Sequence, residues 1–316
     1  MSVGRAYHAP SAPAPTGSQL LNNLTLFAGC VAIWSTTWLA ITWQIGPVAP
    51  EISVAWRFLL AASIIAAWCR LRSLPLRFRP AEHAVFALMG VTLYSVGYIF
   101  IYHAERYIVS GLVALGYSAS PLLSMIGMRV AFRQPVTARM VIGSLLGLAG
   151  IALVFWPEFD RLAESRDVAR GALFTVLAVL ITTAGGLVAH RNHQRRLHGL
   201  PTMAWSMGYG GACALAVALA LGRPVAFDFS APYVLSLLYL TLLGTIATFG
   251  AWLALLGRIG PARASYVGVM VPIVALMIST LFEGLAWHPL TVLGIAVSVG
   301  GNVLVLRNAP RLAQAS

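Results

Sequence analysis

Lysine is absent from this chain of 316 residues, and charge of either sign is scarce. Charged residues make up 9% of it, and only nine are acids. A soluble domain carries roughly 25%, so this chain cannot cover a surface that meets water on all sides. The three cysteines, Cys30, Cys69 and Cys213, all fall inside apolar runs. They give neither a disulfide framework nor metal-ligand spacing and read as small packing residues. No Walker loop is present, so ATP does not drive the protein directly. A His-Glu-x-x-His pattern is missing, and His103 lies too near a run end to serve an intramembrane serine protease. No enzyme chemistry, cofactor or metal site is therefore expected. A polytopic receptor or scaffold would bind without flux.

What is present is apolar surface: 59% hydrophobic residues and a mean hydropathy of +0.81. Ten apolar runs approach the roughly 20 residues that a hydrocarbon core requires. They span 23–44, 51–70, 83–103, 108–130, 138–156, 171–190, 202–221, 233–256, 263–283 and 289–306. Helices are expected, because lipid cannot satisfy open backbone groups. The net charge is +12, all from arginine. With both termini in the cytoplasm, fifteen arginines fall inside and five outside, with Arg57 in a run. Nucleic acid is excluded as the reading of this basicity; membrane topology explains it.

The last third of the chain echoes its middle at an offset of 151 residues. Pro121 maps onto Pro272, Gly143 onto Gly294, Gly150 onto Gly301 and Val154 onto Val305. Five crossings per half is an odd number, so the second half must enter from the opposite side. The expected fold is all-α and polytopic, with ten transmembrane helices as two inverted five-helix repeats, and a site near the midplane. The domains are a disordered tail at 1–22, a repeat at 23–157, an outer linker at 158–170, a second repeat at 171–307 and a tail at 308–316. Glu158, Asp160, Glu164 and Asp167 cluster in that linker.

The chain resembles the EamA branch of the drug/metabolite transporter superfamily over about residues 24–306. The residues that carry the resemblance are Trp34-Ser35-Thr36-Thr37, Ala55-Trp56-Arg57-Phe58-Leu59-Leu60, and Tyr102 through Tyr107 followed by Ser110-Gly111-Leu112 and Pro121. The second half repeats the theme as Gly260-Pro261-Ala262-Arg263-Ala264 through Pro272, then Phe282-Glu283-Gly284 and Gly294. Where the family often has Gly-Glu after the fourth run, this chain has Arg133-Gln134. Glu283 falls two positions before Leu285, where the offset would place it. The resemblance implies export of small metabolites across the cell inner membrane, amino acids in some members. The expected substrates are neutral or aromatic amino acids or similar amphipathic compounds. A sugar-phosphate or nucleotide-sugar carrier, or a multidrug and cation exporter, is the alternative. The expected partners are that substrate and the lipid bilayer, with a monomer or homodimer.

Seven residues are candidates for substrate binding: Trp34, Arg57, Tyr94, Tyr98, Tyr117, Thr245 and Trp252. Arg57 lies six residues into its run from Glu51, about 9 Å deep. A charge there is costly. It either holds an anionic group through a two-pronged contact or pairs with Glu51 or Glu105 while snorkelling outward. Ser206 stands at its repeat position, so the bundle as such does not demand the charge. Tyr94, Tyr98 and Tyr102 recur every four residues and share a helix face. That face lines a polar cavity or bonds to neighbouring helices. Thr245 stands at the repeat position of Tyr94. Trp34 is too central for the interfacial aromatic belt, and Trp252 is a weaker candidate of the same kind.

Pro121 and Pro272 remove helix hydrogen bonds and release the carbonyls of Tyr117 and Gly268. They act as gating kinks or as static packing kinks. Gly143 with Gly147, and Gly294 with Ser298, form small faces for helix contacts or a dimer. His190, His193 and His198 sit in a wet basic segment and are not a metal cluster. No acid falls in the middle of any run, so gradient-driven export without obligatory proton coupling is expected.

Overall fold

The computed structural model describes residues 17–162, 166–195, 197, 199–259, 264 and 266–307. The chain is all-helical among these residues. Ten helical stretches follow one another: α1 (Gly17–Thr42), α2 (Pro50–Leu71), α3 (Pro80–Ala104), α4 (Ser110–Phe132) and α5 (Ala138–Leu162), then α6 (Arg166–Gln194), α7 (Leu200–Ala220), α8 (231–259), α9 (Tyr266–Phe282) and α10 (Pro289–Arg307). Seven of them, α1 to α4 and α6 to α8, are long and apolar enough to cross a membrane. Within α5, and in α9 and α10, the apolar stretches are shorter.

The helices start where proline fits the first turn, where no backbone donor is needed: Pro50 in α2, Pro80 in α3, Pro201 in α7 and Pro232 in α8. Several helices outrun their apolar segments. α1 begins at Gly17, within the segment expected as a disordered tail. The segment expected as the 158–170 linker is helical to Leu162 and again from Arg166. Hydropathy reads only the buried length of a helix, and these polar ends continue it. The tail 308–316, His198, the Gly260–Arg263 motif and the side chains of Glu158, Asp160 and Glu164 lie outside what is described.

Two helices carry wide turns. α3 has a π segment at Thr92–Val96, and α8 has one at Tyr239–Ala247. The 151 offset maps Thr92 onto Leu243, inside the second segment. α4 is interrupted by a 3-10 turn at Tyr117–Ala119, just ahead of Pro121.

Most of the extensive helix pairings obey an exchange rule, with α1 on α4, α2 on α3 and α5 on α6 as the exceptions. α2 packs on α7, α4 on α9 and α5 on α10. α1 packs on α8 and α9, while α6 packs on α3 and α4. α3 packs on α7, and α2 on α8. Swapping each helix for the one five places away returns the same set. The tightest crossing is α5 on α10. A Cβ on Gly143 would lie 2.6 Å from the Gly301 carbonyl, and one on Gly294 would lie 2.6 Å from the Gly150 carbonyl. The small residues thus join two helices of one chain.

Candidate functional site

A cavity of about 610 Å³ lies among α1, α3, α4, α5, α8, α9 and α10. Its deep wall is Trp34, Thr37, Trp38, Tyr98, Ala114 and Tyr117. From there it runs past Ser124, Met125 and Met128 to the α4–α5 turn, where Gln134, Pro135 and Met140 line it and Pro135 is exposed. In the other direction the lining stops at Ala114, and residues 110–113 beyond it are buried. The cavity is therefore shut at the end bearing Glu51, Glu105 and Glu283 and reaches the surface at the end bearing Arg133.

The wall is built from repeat-related positions. Tyr98 and Phe249, Tyr117 and Gly268, Ser118 and Val269, Ser120 and Val271, and Pro121 and Pro272 all line it, each pair 151 residues apart. The chemistry of the members differs. At these positions the first half presents phenols and serine hydroxyls, and the second half presents apolar groups. None of the lining residues is charged.

Trp34 is held by its indole N–H on the Gly244 carbonyl at 3.2 Å. That carbonyl belongs to the π segment of α8. The Trp34 ring meets Phe249 edge-on at 5.5 Å, and Trp38 lies 5.2 Å from Tyr117. The Tyr117 hydroxyl lies 3.3 Å from Thr182 Oγ1 of α6. Ser35 donates to the Val271 carbonyl at 3.1 Å and ties α1 to α9.

The two prolines differ. The Tyr117 carbonyl is not released: the 3-10 turn lets the Ser120 N–H take it up. Pro272 sits inside continuous helix and cannot donate to the Gly268 carbonyl. Gly268 lines the cavity, and a Cβ there would meet nothing within 4 Å.

Four of the seven expected residues lie off the cavity wall. Tyr94 is buried, 5.4 Å from Phe58, and its Cβ is 2.8 Å from where Gly210 would carry one. The π turn that contains Tyr94 breaks the four-residue register, so Tyr94 turns toward α7 while Tyr98 meets the cavity. Tyr102 is also buried, donating to Gln44 Oε1 at 2.8 Å. The expectation of one cavity-lining tyrosine row therefore fails for Tyr94 and Tyr102. Trp252 stands behind Trp34 at 6.3 Å. Thr245 is buried, and its hydroxyl reaches the Leu240 carbonyl at 2.8 Å, a five-residue step made available by the π turn.

Arg57 neither snorkels nor pairs with Glu51. It is 2% exposed, and its Nε and Nη2 donate to Thr245 Oγ1 at 3.4 and 3.2 Å. Its Nη1 has no partner among the described residues. The guanidinium lies 4.8 Å from the Tyr98 ring centroid, an attractive placement for a desolvated cation. Tyr98 therefore stands between the buried cation and the cavity. Glu51 is engaged with His103 at 2.8 Å.

Residues not singled out by sequence complete the wall: Ser118, Ser120, Ser124, Met125, Met128 and Asn302. Asn302 is buried with its Oδ1 unpartnered among the described residues. A lone amide in the tenth apolar run was its signal. His190 packs against Phe132 at 5.0 Å, and no metal-holding cluster occurs among the described residues.

The profile of the EamA-like transporter family matches residues 22–156 and again residues 169–307. Protein PagO of Salmonella typhimurium is 24% identical over 289 residues, covering 88% of this chain and 91% of PagO. The uncharacterized inner membrane transporter YedA of Escherichia coli K12 is 26% identical over 287 residues, covering 89% and 90%. Protein PecM of Dickeya dadantii is 24% identical over 264 residues, covering 83% and 84%. A solved crystal structure matches the fold with a TM-score of 0.63 at 18% identity, over 92% of this chain and 99% of that one.

Proposed function

Because the chain belongs to the EamA-like transporter family, we propose that it is a secondary transporter that exports neutral or aromatic amino acids, or similar amphipathic compounds. Ten helices cross the inner membrane as two inverted halves, with both termini in the cytoplasm. The exchange rule among helix pairs supports this, as does the family profile matching once in each half. In this orientation the cavity opens to the cytoplasm and is shut toward the outside, one of the two states of an alternating-access cycle.

The observation that carries the substrate class is the two-sided wall. Paired positions give hydroxyls from one half and apolar surface from the other, with no charge. An amphipathic molecule satisfies both sides at once, and the volume falls within the roughly 300–1,000 Å³ of small-molecule sites. A sugar phosphate would bring a dianion to a wall without a cation, a costly transfer. Trp34, Tyr98 and Tyr117 shape the site, and Asn302 and the Gly268 carbonyl add polar contacts.

Counterflow in proteoliposomes tests this reading. L-Phenylalanine exchange is expected in the wild type and strongly reduced in Tyr98→Ala, with no exchange of sugar phosphates. Sugar-phosphate exchange without amino acid exchange would refute it. Exchange confined to organic cations would move the assignment to a cation exporter that uses the aromatic faces.

A further inference from the structure

The shut end of the cavity holds two carboxyl groups in contrasting surroundings. Glu283, just past α9, is saturated with donors. Its oxygens accept from the Ser110 backbone N–H at 3.1 Å, from Ser110 Oγ at 2.6 Å and from Ser279 Oγ. It caps the N-terminus of α4, where a negative charge is favoured. Glu105, just past α3, is 8% exposed, and neither of its oxygens has a hydrogen-bond partner among the described residues.

A carboxylate withdrawn from water without donors takes up a proton instead of staying charged. Burial, and then the Glu283 charge, push Glu105 well above the usual carboxylate range, against the pull of Arg57. The groups around it are Arg57 from α2, Glu283 from α9, Tyr117 from α4 and Tyr102 on its own helix. Glu51 and His103 are occupied with each other. None of these supplies Glu105 with a hydrogen bond.

We propose that Glu105 is a proton-binding site whose occupancy closes the outer end of the bundle, so that each closure takes up one proton from the water it excludes. The proposal rests on the alternating-access reading for its consequence, but not for the site. When the outer end opens, water reaches Glu105 and restores a carboxyl near its ordinary value of about 4.3. The closed state then binds one more proton than the open one. Closure is favoured as outer pH falls, and the gain fades as pH rises through the raised value of the closed state. Between those limits the closed-to-open ratio changes by up to about tenfold per pH unit.

Two measurements test it. Infrared spectra of the wild type in lipid at about pH 6 should contain a protonated-carboxyl band that is missing in Glu105→Gln. Retention of that band in the variant overturns the site. Second, Val113→Cys in a chain lacking the native cysteines should react with a membrane-impermeant maleimide from outside less readily as pH falls. Rates are corrected by the same thiol in unfolded protein. Glu105→Gln mimics the protonated acid, so its labelling should stay low and independent of pH. Matching pH profiles with and without Glu105 overturn the proposal, as does a response to sodium alone. Absence of counterflow of amino acids, organic cations and sugar phosphates alike in the wild type, with the infrared difference intact, would refute the transport reading and leave the proton site standing.

Discussion

Alanine at Gly150 is the sharpest test of the α5–α10 crossing. Its Cβ would strike the Gly294 carbonyl oxygen and the Ser298 nitrogen and would lie 2.7 Å from Ser298 Cα. Ordinary contact is about 3.5–4.0 Å. The obstructing atoms are backbone, so no rotamer change relieves them and the two helices must separate by about 1 Å. Overpacking of this kind costs about 1–3 kcal/mol. Replacing a mid-helix glycine by alanine returns about 0.5–1 kcal/mol. The net expectation is a loss of about 1–2 kcal/mol, or several degrees in thermal midpoint at about 2–4 °C per kcal/mol. Gly147→Ala is the control. It lies in the same helix, but its Cβ would meet Ser118 O at 3.7 Å and Asn302 Oδ1 at 3.8 Å, which is ordinary contact. That variant should match or exceed the wild type. Gly301→Ala should behave like Gly150→Ala, because its Cβ would meet the Gly143 carbonyl and Gly147 nitrogen. Thermal unfolding of the purified protein reads all three. Equal midpoints for Gly150→Ala and Gly147→Ala would refute the crossing and, with it, a main support for inverted halves.

Tyr98→Ala should open a path from the cavity to Arg57, whose guanidinium lies 4.8 Å from that ring centroid. Counterflow of L-glutamate should appear in the variant and vanish in Tyr98→Ala/Arg57→Met; its absence from the single variant would mean that Arg57 is not screened by this ring. Pro272→Ala should place a backbone N–H opposite the Gly268 carbonyl and lower L-phenylalanine exchange, whereas Pro121→Ala should change exchange little, because the Ser120 N–H already satisfies Tyr117. Equal effects of the two substitutions on counterflow would remove any role for the Gly268 carbonyl.

The all-helical, polytopic character was legible because hydrocarbon demands about 20 apolar residues per crossing, and seven of the helices meet that length and composition. Trp34, Tyr98 and Tyr117 were found by their chemistry: a polar tip on an aromatic ring needs a partner or a cavity inside a membrane. Tyr94 was misplaced because a π turn carries no periodic signal, and one extra residue per turn rotates all that follows. Glu105 lies at a run end, where the sequence pattern carries no sign of burial, and the Glu283 and Ser279 that fold over the nearby start of α4 are more than 150 residues away. Met125, Met128 and Ser124 were invisible for the opposite reason. They are ordinary apolar-run residues, and the run's pattern does not say which of its faces meets the cavity.

The repeat and the departures from it carry different information. Where the halves agree, at the π turns and the glycine crossing, the shared feature is backbone geometry: wide turns and close approaches. Where they differ, the difference lies on the cavity wall. Tyr98 corresponds to Phe249, Tyr117 to Gly268 and Ser120 to Val271 across the 151-residue offset. The same applies behind the wall, where Arg57 is the buried cation and Ser206 stands at its repeat position. A cavity on a two-fold axis with identical halves would present the same chemistry twice and hold a symmetric ligand best. At the paired positions the hydroxyls come from one half and the apolar groups from the other, while Asn302 and Gly268 add polar atoms from the second half. The helices that carry these hydroxyls, α3 and α4, are also those that lead to Glu105 and to Ser110 capped by Glu283.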